Sequence, residues 1–347
     1  MDTTTEQDRT YEGPTRATGV DLVLDANEGP PSDIDISSLL AGVDGSLLRR
    51  YPDDGSLRRR IGDRYGVAPA RVFVTCGGDE AIERVCRAFL GPGRWMLTHS
   101  PGFAMIPRSA RMTGAEVESV RWLDGAFPVD AMVERVGRAD LVTLVSPNNP
   151  TGLTIDTQTL RSVALAAHVR GAVTMIDLAY AEFSDEDPAG DLLDLDSAVI
   201  VRTFSKAYGL AGIRVGYLIV SEPLVEPISR VSPPFSVGSV SLALAEAALA
   251  RGVNRSAIEA MRARRSRLNS AMEGIGLTPV PSEANFVCAR TTRARAIRDR
   301  LIARGISVRV LDDGDEDLLR ISIPWDDEEQ ARLMAEIEAL RTEEGQP

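Results

Sequence analysis

Between residues 71 and 220 the chain alternates short runs of β-branched and apolar residues with stretches of helical period, and no other feature narrows its possible folds as far. The runs lie at 71–76 (RVFVTC), 95–98 (WMLT), 116–121 (EVESVR), 141–146 (LVTLVS), 173–177 (VTMID), 198–202 (AVIVR) and 215–220 (VGYLIV). Each is too short for a stable helix and reads as a buried strand. Helix-period stretches at 79–90 (DEAIERVCRAFL), 129–137 and 156–170 separate several of them. Strands joined through helices run in the same direction, so the pattern predicts an α/β fold with a mostly parallel, seven-stranded sheet flanked by helices. Ligands of such sheets bind beyond the carboxyl ends of the strands, so the residues directly after each run come first in a search for chemistry.

The pattern changes after about residue 238. A helical stretch over roughly 240–275, rich in Ala, Leu, Arg and Glu, leads to a strand at 285–289 (NFVCA), a helix at 293–304, strands at 306–311 (ISVRVL) and 318–323 (LLRISI), and a helix at 327–342. This order is that of a smaller α+β unit. At 347 residues the chain exceeds the size of one usual core. The expected organisation is an arm over 1–40 that packs on the small domain or on a partner subunit, a large α/β domain over 41–250, and a small α+β domain over 251–347.

Composition excludes several function classes. A net charge of −12 opposes nucleic-acid binding, which needs a surplus of basic groups. No run approaches the roughly 20 apolar residues of a membrane span, and the polar start MDTTTEQDRT lacks the basic-then-apolar order of a signal peptide, so a cytoplasmic protein without a membrane partner is expected. Cys76, Cys86 and Cys288 are odd in number, and together with His99 and His168 they show no metal-ligand spacing. We expect no metal site and no histidine-based triad. No G-x-G-x-x-G follows the first strand, which disfavours a nicotinamide enzyme.

One count points to chemistry instead. Of the 39 basic residues, a single one is lysine, Lys206. Arginine has replaced lysine wherever charge alone was needed, and it fails only where a primary amine must lose its proton and attack a carbonyl. Lys206 follows the strand at 198–202 within Ser205-Lys206-Ala207-Tyr208-Gly209-Leu210-Ala211-Gly212-Ile213-Arg214-Val215-Gly216-Tyr217, at the ligand-binding end of the sheet. Arg214 is either a phosphate ligand or a surface ion-pair partner. Gly77-Gly78-Asp79-Glu80 joins the first strand to its helix, where free N–H groups and the helix dipole favour a phosphate. The carboxylates of Asp79 and Glu80 are then expected to point away from it, although a Gly-Gly turn also serves simply to cap a helix. Asp177 ends its strand, so its carboxylate projects at the crevice floor or caps the next segment. Arg320 lies mid-strand, an uncomfortable place for a charge, and reads as a carboxylate ligand or a structural ion pair.

The Ser205–Tyr217 segment resembles the cofactor-lysine signature of the class I/II aminotransferases, enzymes of the type I pyridoxal-phosphate fold. The likeness continues in order along most of the chain, through Asp25-Ala26-Asn27-Glu28-Gly29-Pro30, Arg50-Tyr51-Pro52-Asp53 and Pro147-Asn148-Asn149-Pro150-Thr151-Gly152, and its wording is most similar to the histidinol-phosphate aminotransferase group. The resemblance implies pyridoxal 5′-phosphate held by Lys206 as a Schiff base. Asp177 would keep the pyridine nitrogen protonated so that the ring accepts electrons. Asn149 and Tyr180 would hydrogen-bond the phenolic oxygen, and Phe103 would stack on the ring unless it is simply a core residue. Gly78, Asp79, Glu80, Thr203, Ser205 and Arg214 would surround the phosphate. Tyr51 would reach the phosphate of the neighbouring subunit, which implies a homodimer. Arg320 would take the substrate carboxylate, with Asn27, Tyr11 and Arg309 also on the substrate side, while Asn285-Phe286 resembles a structural element.

The implied reaction is ping-pong transamination between an amino donor, histidinol phosphate in the first instance, and 2-oxoglutarate. Gly29 stands where many relatives carry a bulkier residue, and Ser236-Val237-Gly238 departs from the asparagine often found after the Pro-Pro-aromatic turn. Both changes lie near where a substrate side chain would bind, so an aromatic or other amino-acid aminotransferase stands as an alternative. The resemblance to the fold leaves two more, a phosphothreonine decarboxylase and a non-catalytic sensor of the cofactor.

Overall fold

The computed structural model describes residues 18–41, 45–312 and 317–344, so Tyr11 lies outside the described residues. After a two-residue strand β1 (Leu22–Val23) come β2 (Val72–Thr75), β3 (Trp95–Ser100), β4 (Glu116–Arg121), β5 (Leu141–Val145), β6 (Val173–Asp177), β7 (Ala198–Thr203) and β8 (Gly216–Val220). The last seven form one sheet in the order β2-β8-β7-β6-β5-β3-β4. Only β8 is reversed, pairing antiparallel with β2 and β7. The other neighbours pair in parallel. The expected mostly parallel seven-stranded sheet is therefore present. Reversal of β8 alone brings its amino end to the same edge as the carboxyl ends of β2, β3, β5, β6 and β7.

β5, β6, β7 and β8 are buried at every position, because helices cover both faces. Leu144, Ile176, Ile200 and Ile219 face one layer, with Leu57, Ile61, Leu160 and Val163 from the helices Gly55–Tyr65 and Thr157–Val169. Met175, Val199, Val201 and Leu218 face the other, where the helix Gly77–Phe89 buries Ala81, Ile82, Val85 and Cys86, an amphipathic spacing of one face.

The second unit contains β9 (Thr278–Val280), β10 (Phe286–Thr291), β11 (Ile306–Ser307), β12 (Arg309–Asp312) and β13 (Asp317–Ser322). β12-β13-β10-β9 form an antiparallel sheet, and β1 pairs in parallel with β11. The amino-terminal segment thus docks on the carboxy-terminal unit. It continues between two strands, where Leu24 donates its N–H to Ser307 O and accepts the Ser322 N–H, each at 2.9 Å.

Three sequence expectations need correction. The run at 116–121 is an edge strand in which only Val120 is buried, because β4 has, among the described residues, a neighbour on one side alone. The helical stretch at 240–275 is two helices, Ser239–Arg251 and Arg255–Gly274. Gly252 takes φ 79° with ψ 179°, a conformation open almost only to glycine, which ends the first, and Asn254 Oδ1 accepts the Ala257 N–H at 3.0 Å to cap the second. The strand at 306–311 is also divided, since β11 pairs with β1 and β12 with β13.

Candidate active site

A cavity of about 320 Å³ opens at the shared strand edge, between the two units. Its wall includes Asp25, Asn27, Gly78, Asp79, Phe103, Asn149, Asp177, Tyr180, Thr203, Ser205, Lys206, Arg214, Arg309 and Arg320, which brings together most of the residues singled out in the sequence.

Lys206 enters from the turn after β7. Its Nζ donates to Ala26 O at 3.1 Å and Asn27 O at 3.0 Å, and stands 5.4 Å from the centre of the Tyr180 ring. The turn and the amino-terminal element touch backbone to backbone. A Cβ built on Gly29 would sit 1.7 Å from Lys206 O, and one on Gly209 would sit 1.9 Å from Pro30 O. Gly29 is therefore required for the close approach that delivers two carbonyls to the lysine.

Asp177 closes β6 and is 4% exposed, with Oδ1 accepting the Ala179 N–H at 3.0 Å. Burial pushes its carboxyl up to about 6; the Ala179 N–H opposes this, the Asp79 charge adds to it, and Arg202 and Lys206 oppose it. A carboxylate in such surroundings is built for a cationic or N–H donor brought into the cavity. His99 lies behind the wall, not in it. It accepts the Val145 N–H at Nε2 (3.1 Å), and burial pulls its imidazole down to about 4, so it is a neutral core group.

One side of the cavity is formed by Gly78 and Asp79 at the start of the helix Gly77–Phe89, with Ser205 and Arg214. A Cβ on Gly77 would stand 2.6 Å from Arg214 Nη2, so the bare backbone there leaves room for the guanidinium. Arg214, at φ 55°, donates to Asp79 Oδ2 at 3.1 Å and to Ala211 O at 3.2 Å. The expectation that Asp79 points away is therefore corrected, since its carboxylate faces the arginine. Glu80 does turn away. It accepts the Cys76 N–H and pairs with Arg84 one turn along the helix, outside the cavity wall, so it caps its own helix. Thr203 Oγ1 accepts the Ser205 N–H at 3.1 Å and fixes the turn that carries the lysine.

Arg320 reaches across from β13. Nη1 donates to Asn149 Oδ1 at 2.5 Å and Nη2 to Asp25 O at 2.6 Å, and its Cα pairs in register with that of Arg309 on β12. Two arginines thus stand side by side on one wall. Tyr51 lies elsewhere. It is 81% exposed, stacks on Phe235 at 4.6 Å, and lines a separate surface cavity with Arg58 and Arg84.

Three polar residues not singled out as site residues hold the amino-terminal element in place. Ser322 accepts the Asn27 N–H and donates to Asn27 Oδ1, Asn285 Nδ2 donates to Asn27 O and Glu28 O, and Trp325 Nε1 donates to Glu28 O. Asn285 followed by Phe286 was legible as a structural pair; nothing local marked Ser322 or Trp325.

Comparison with known proteins agrees with this geometry. Residues 38–337 match the family model "Aminotransferase class I and II". Histidinol-phosphate aminotransferase 1 of Carboxydothermus hydrogenoformans is 35% identical over 323 residues, covering 90% of this chain and 91% of that one. The crystal structure of histidinol-phosphate aminotransferase from Sinorhizobium meliloti in complex with pyridoxal-5′-phosphate superposes with a TM-score of 0.84 at 26% identity, over 94% of this chain and 92% of that chain. L-Threonine-O-3-phosphate decarboxylase from Porphyromonas gingivalis shares the fold, with a TM-score of 0.78 at 22% identity over 92% of this chain and 98% of that chain. A sheet edge that gathers a lone lysine, a buried aspartate and paired arginines, in a chain matched over 38–337, places this protein in the class I and II aminotransferase family.

Proposed function

We propose that the protein is a pyridoxal-phosphate-dependent aminotransferase that moves an amino group from histidinol phosphate to 2-oxoglutarate by a ping-pong mechanism. The observation that carries this reading is the convergence of Lys206, Asp177 and Arg214 on one cavity of about 320 Å³. An amine that attacks an aldehyde, a buried carboxylate that takes a pyridinium N–H, and a guanidinium beside bare glycine backbone that takes a phosphate are the three complements of this one cofactor. When bound, pyridoxal phosphate supplies an aldehyde carbon that carries the amino group and a ring that takes up the electron pair released at the donor's Cα.

The chain's residues supply the rest. The Lys206 amine would take the donor's Cα proton and deliver it to the cofactor's former aldehyde carbon, which requires it to leave the carbonyls of Ala26 and Asn27. Asp177 holds the ring nitrogen protonated, and the incoming positive charge offsets the cost of its burial. Asn149 and Tyr180 bind the phenolic oxygen and Phe103 covers the ring. Gly78, Ser205 and Arg214 hold the phosphate, with Asp79 orienting the arginine.

Histidinol phosphate carries a phosphoester where an amino acid carries its α-carboxylate, and 2-oxoglutarate carries a carboxylate at each end. The side-by-side Arg320 and Arg309 suit anions of both kinds, and the names of the relatives support the choice of donor. Tyr51, exposed and away from its own cavity, is proposed to serve the neighbouring subunit of a homodimer.

A half-reaction screen tests the reading. The enzyme loaded with pyridoxal phosphate is mixed with histidinol phosphate, phenylalanine, tyrosine or phosphothreonine, and the visible absorbance band is followed. Histidinol phosphate should discharge the band fastest, and 2-oxoglutarate should restore it. Faster discharge by an aromatic amino acid, carbon dioxide release from phosphothreonine, or no discharge by any donor would overturn it in favour of the corresponding alternative.

A further inference from the structure

The hydrogen bonds around Asn27 decide which way the Tyr180 hydroxyl points its proton. Asn27 is 1% exposed and holds φ 54°, a backbone conformation that its side chain and surroundings must sustain. Its N–H donates to Ser322 Oγ at 2.9 Å, and Ser322 Oγ donates back to Asn27 Oδ1 at 3.0 Å. With Oδ1 turned to the serine, the other end of the amide, Nδ2, faces Tyr180 and donates to its hydroxyl oxygen at 3.1 Å.

The reverse orientation of the amide is penalised. It would aim both the Asn27 N–H and the Asn27 NH2 at Ser322 Oγ and take away the oxygen that now accepts the serine proton, in a site where Ser322 is 5% and Tyr180 4% exposed. Buried polar groups that lose their partners are costly, so the present orientation is held. A tyrosine oxygen that already accepts from Asn27 has its own O–H left to donate elsewhere. The cavity that Tyr180 lines is the place for that proton.

We propose that Asn27 and Ser322 are positioning residues that lock the Tyr180 hydroxyl as a donor toward the cofactor's phenolic oxygen. The inference rests on the reading of the cavity as a pyridoxal-phosphate site and adds to it residues outside the cofactor contacts. It also assigns Asn27 to orienting Tyr180, where the sequence placed it on the substrate side. The direction matters because a donor on the phenolic oxygen withdraws negative charge from it. That lowers the affinity of the adjacent nitrogen, which joins the cofactor to Lys206, for a proton. If Tyr180 instead donated to Asn27 Oδ1, only Asn149 would be left to compensate that charge and the nitrogen would hold its proton to higher pH.

The test is a pH titration of the visible band of the loaded enzyme, without substrate. Ser322→Ala frees the Asn27 amide to reverse and should raise the midpoint by about one pH unit, an ordinary size for the loss of one hydrogen bond to a charged group. Tyr180→Phe should raise it at least as far. Ser322→Ala placed on Tyr180→Phe should then add nothing, because the serine acts through the hydroxyl already removed. Ser322→Thr keeps the hydroxyl and should titrate as the unsubstituted enzyme. Ser322→Cys, which fills the same space with a weak donor, should shift in the direction of alanine and serves if Ser322→Ala does not fold. An unchanged midpoint in both the alanine and cysteine variants, or a further rise of similar size in the double variant, would overturn the proposal. A complete absence of a visible band in the unsubstituted enzyme would overturn the cofactor reading itself, and the proposal with it.

Discussion

Adding one methyl group at Gly29 strikes the contact that joins the amino-terminal element to the catalytic turn. A Cβ there would lie 1.7 Å from Lys206 O, 2.8 Å from Lys206 C and 3.0 Å from Gly209 Cα. A carbon and a carbonyl oxygen need more than 3 Å, so one of the two segments has to retreat by over an ångström. If residues 26–30 retreat, Lys206 loses Ala26 O and Asn27 O, and Asn285 loses its two carbonyl acceptors. If the turn retreats instead, the Gly209 N–H bond to Lys206 O at 2.9 Å is strained. Overpacking of this kind costs about 1–3 kcal/mol, and each hydrogen bond lost adds about 1 kcal/mol, so even by the cheaper route, retreat of the turn, Gly29→Ala should cost about 3 kcal/mol of stability. Urea unfolding of the cofactor-free protein measures the cost, and titration with pyridoxal phosphate should show binding weakened about tenfold or more. Gly274→Ala is the control, since a Cβ there meets nothing within 4 Å and should leave stability level or gain up to about 1 kcal/mol. A Gly29→Ala protein that unfolds at the same urea concentration and binds the cofactor unchanged would refute the argument from close approach.

Three further outcomes follow from the same geometry. Asp177 has its folded-state pKa raised from 3.8 to about 6, so the folded protein binds the extra proton between those values and loses stability as pH rises through the interval. Asp177→Asn should therefore make the cofactor-free protein more stable near pH 8, by up to about 3 kcal/mol, with the advantage fading toward pH 4, and thermal melts at the two pH values check the sign. Arg320→Ala and Arg320→Lys should both raise the KM for 2-oxoglutarate by about 100-fold while leaving cofactor affinity within a few-fold, because lysine lacks the planar fork; an unchanged KM in either would remove Arg320 from the substrate site. Glu182→Ala should cost about 3–5 kcal/mol in chemical unfolding, since it leaves the buried Arg202, 1% exposed, with Asp187 as its one carboxylate partner among the described residues.

The centre of the large sheet was legible because β5 to β8 are buried on both faces and announce themselves as continuous apolar runs, such as VTMID and VGYLIV. The break at Gly252 was missed although a glycine followed by Val253 and Asn254 is a readable stop and start, because the flanking helical composition is so uniform. The division at Val308 was not readable, since it arises from which partners β11 and β12 find. In the site, residues placed by a strand end, such as Asp177, Ser205 and Lys206, could be located from local pattern alone. Asp79 misled because proximity to the glycine turn says nothing about rotamer: its carboxylate faces Arg214, while Arg84 and the Cys76 N–H claim that of Glu80. Ser322 lies 295 residues from Asn27, and contacts at that separation leave no local trace in a single sequence. Gly29 looked like a departure that altered substrate binding, yet the structure places it against the backbone of Lys206, where only glycine leaves room.

Because Lys206 is the only lysine in the chain, the central claim has an unusually direct measurement. The protein is loaded with pyridoxal phosphate, reduced with borohydride, digested and mapped by mass. A single phosphopyridoxyl adduct should appear on the peptide that carries Lys206, and both it and the visible band should be absent in Lys206→Ala and Lys206→Arg. An adduct confined to the amino terminus, or a visible band that survives in either variant, would contradict the claim.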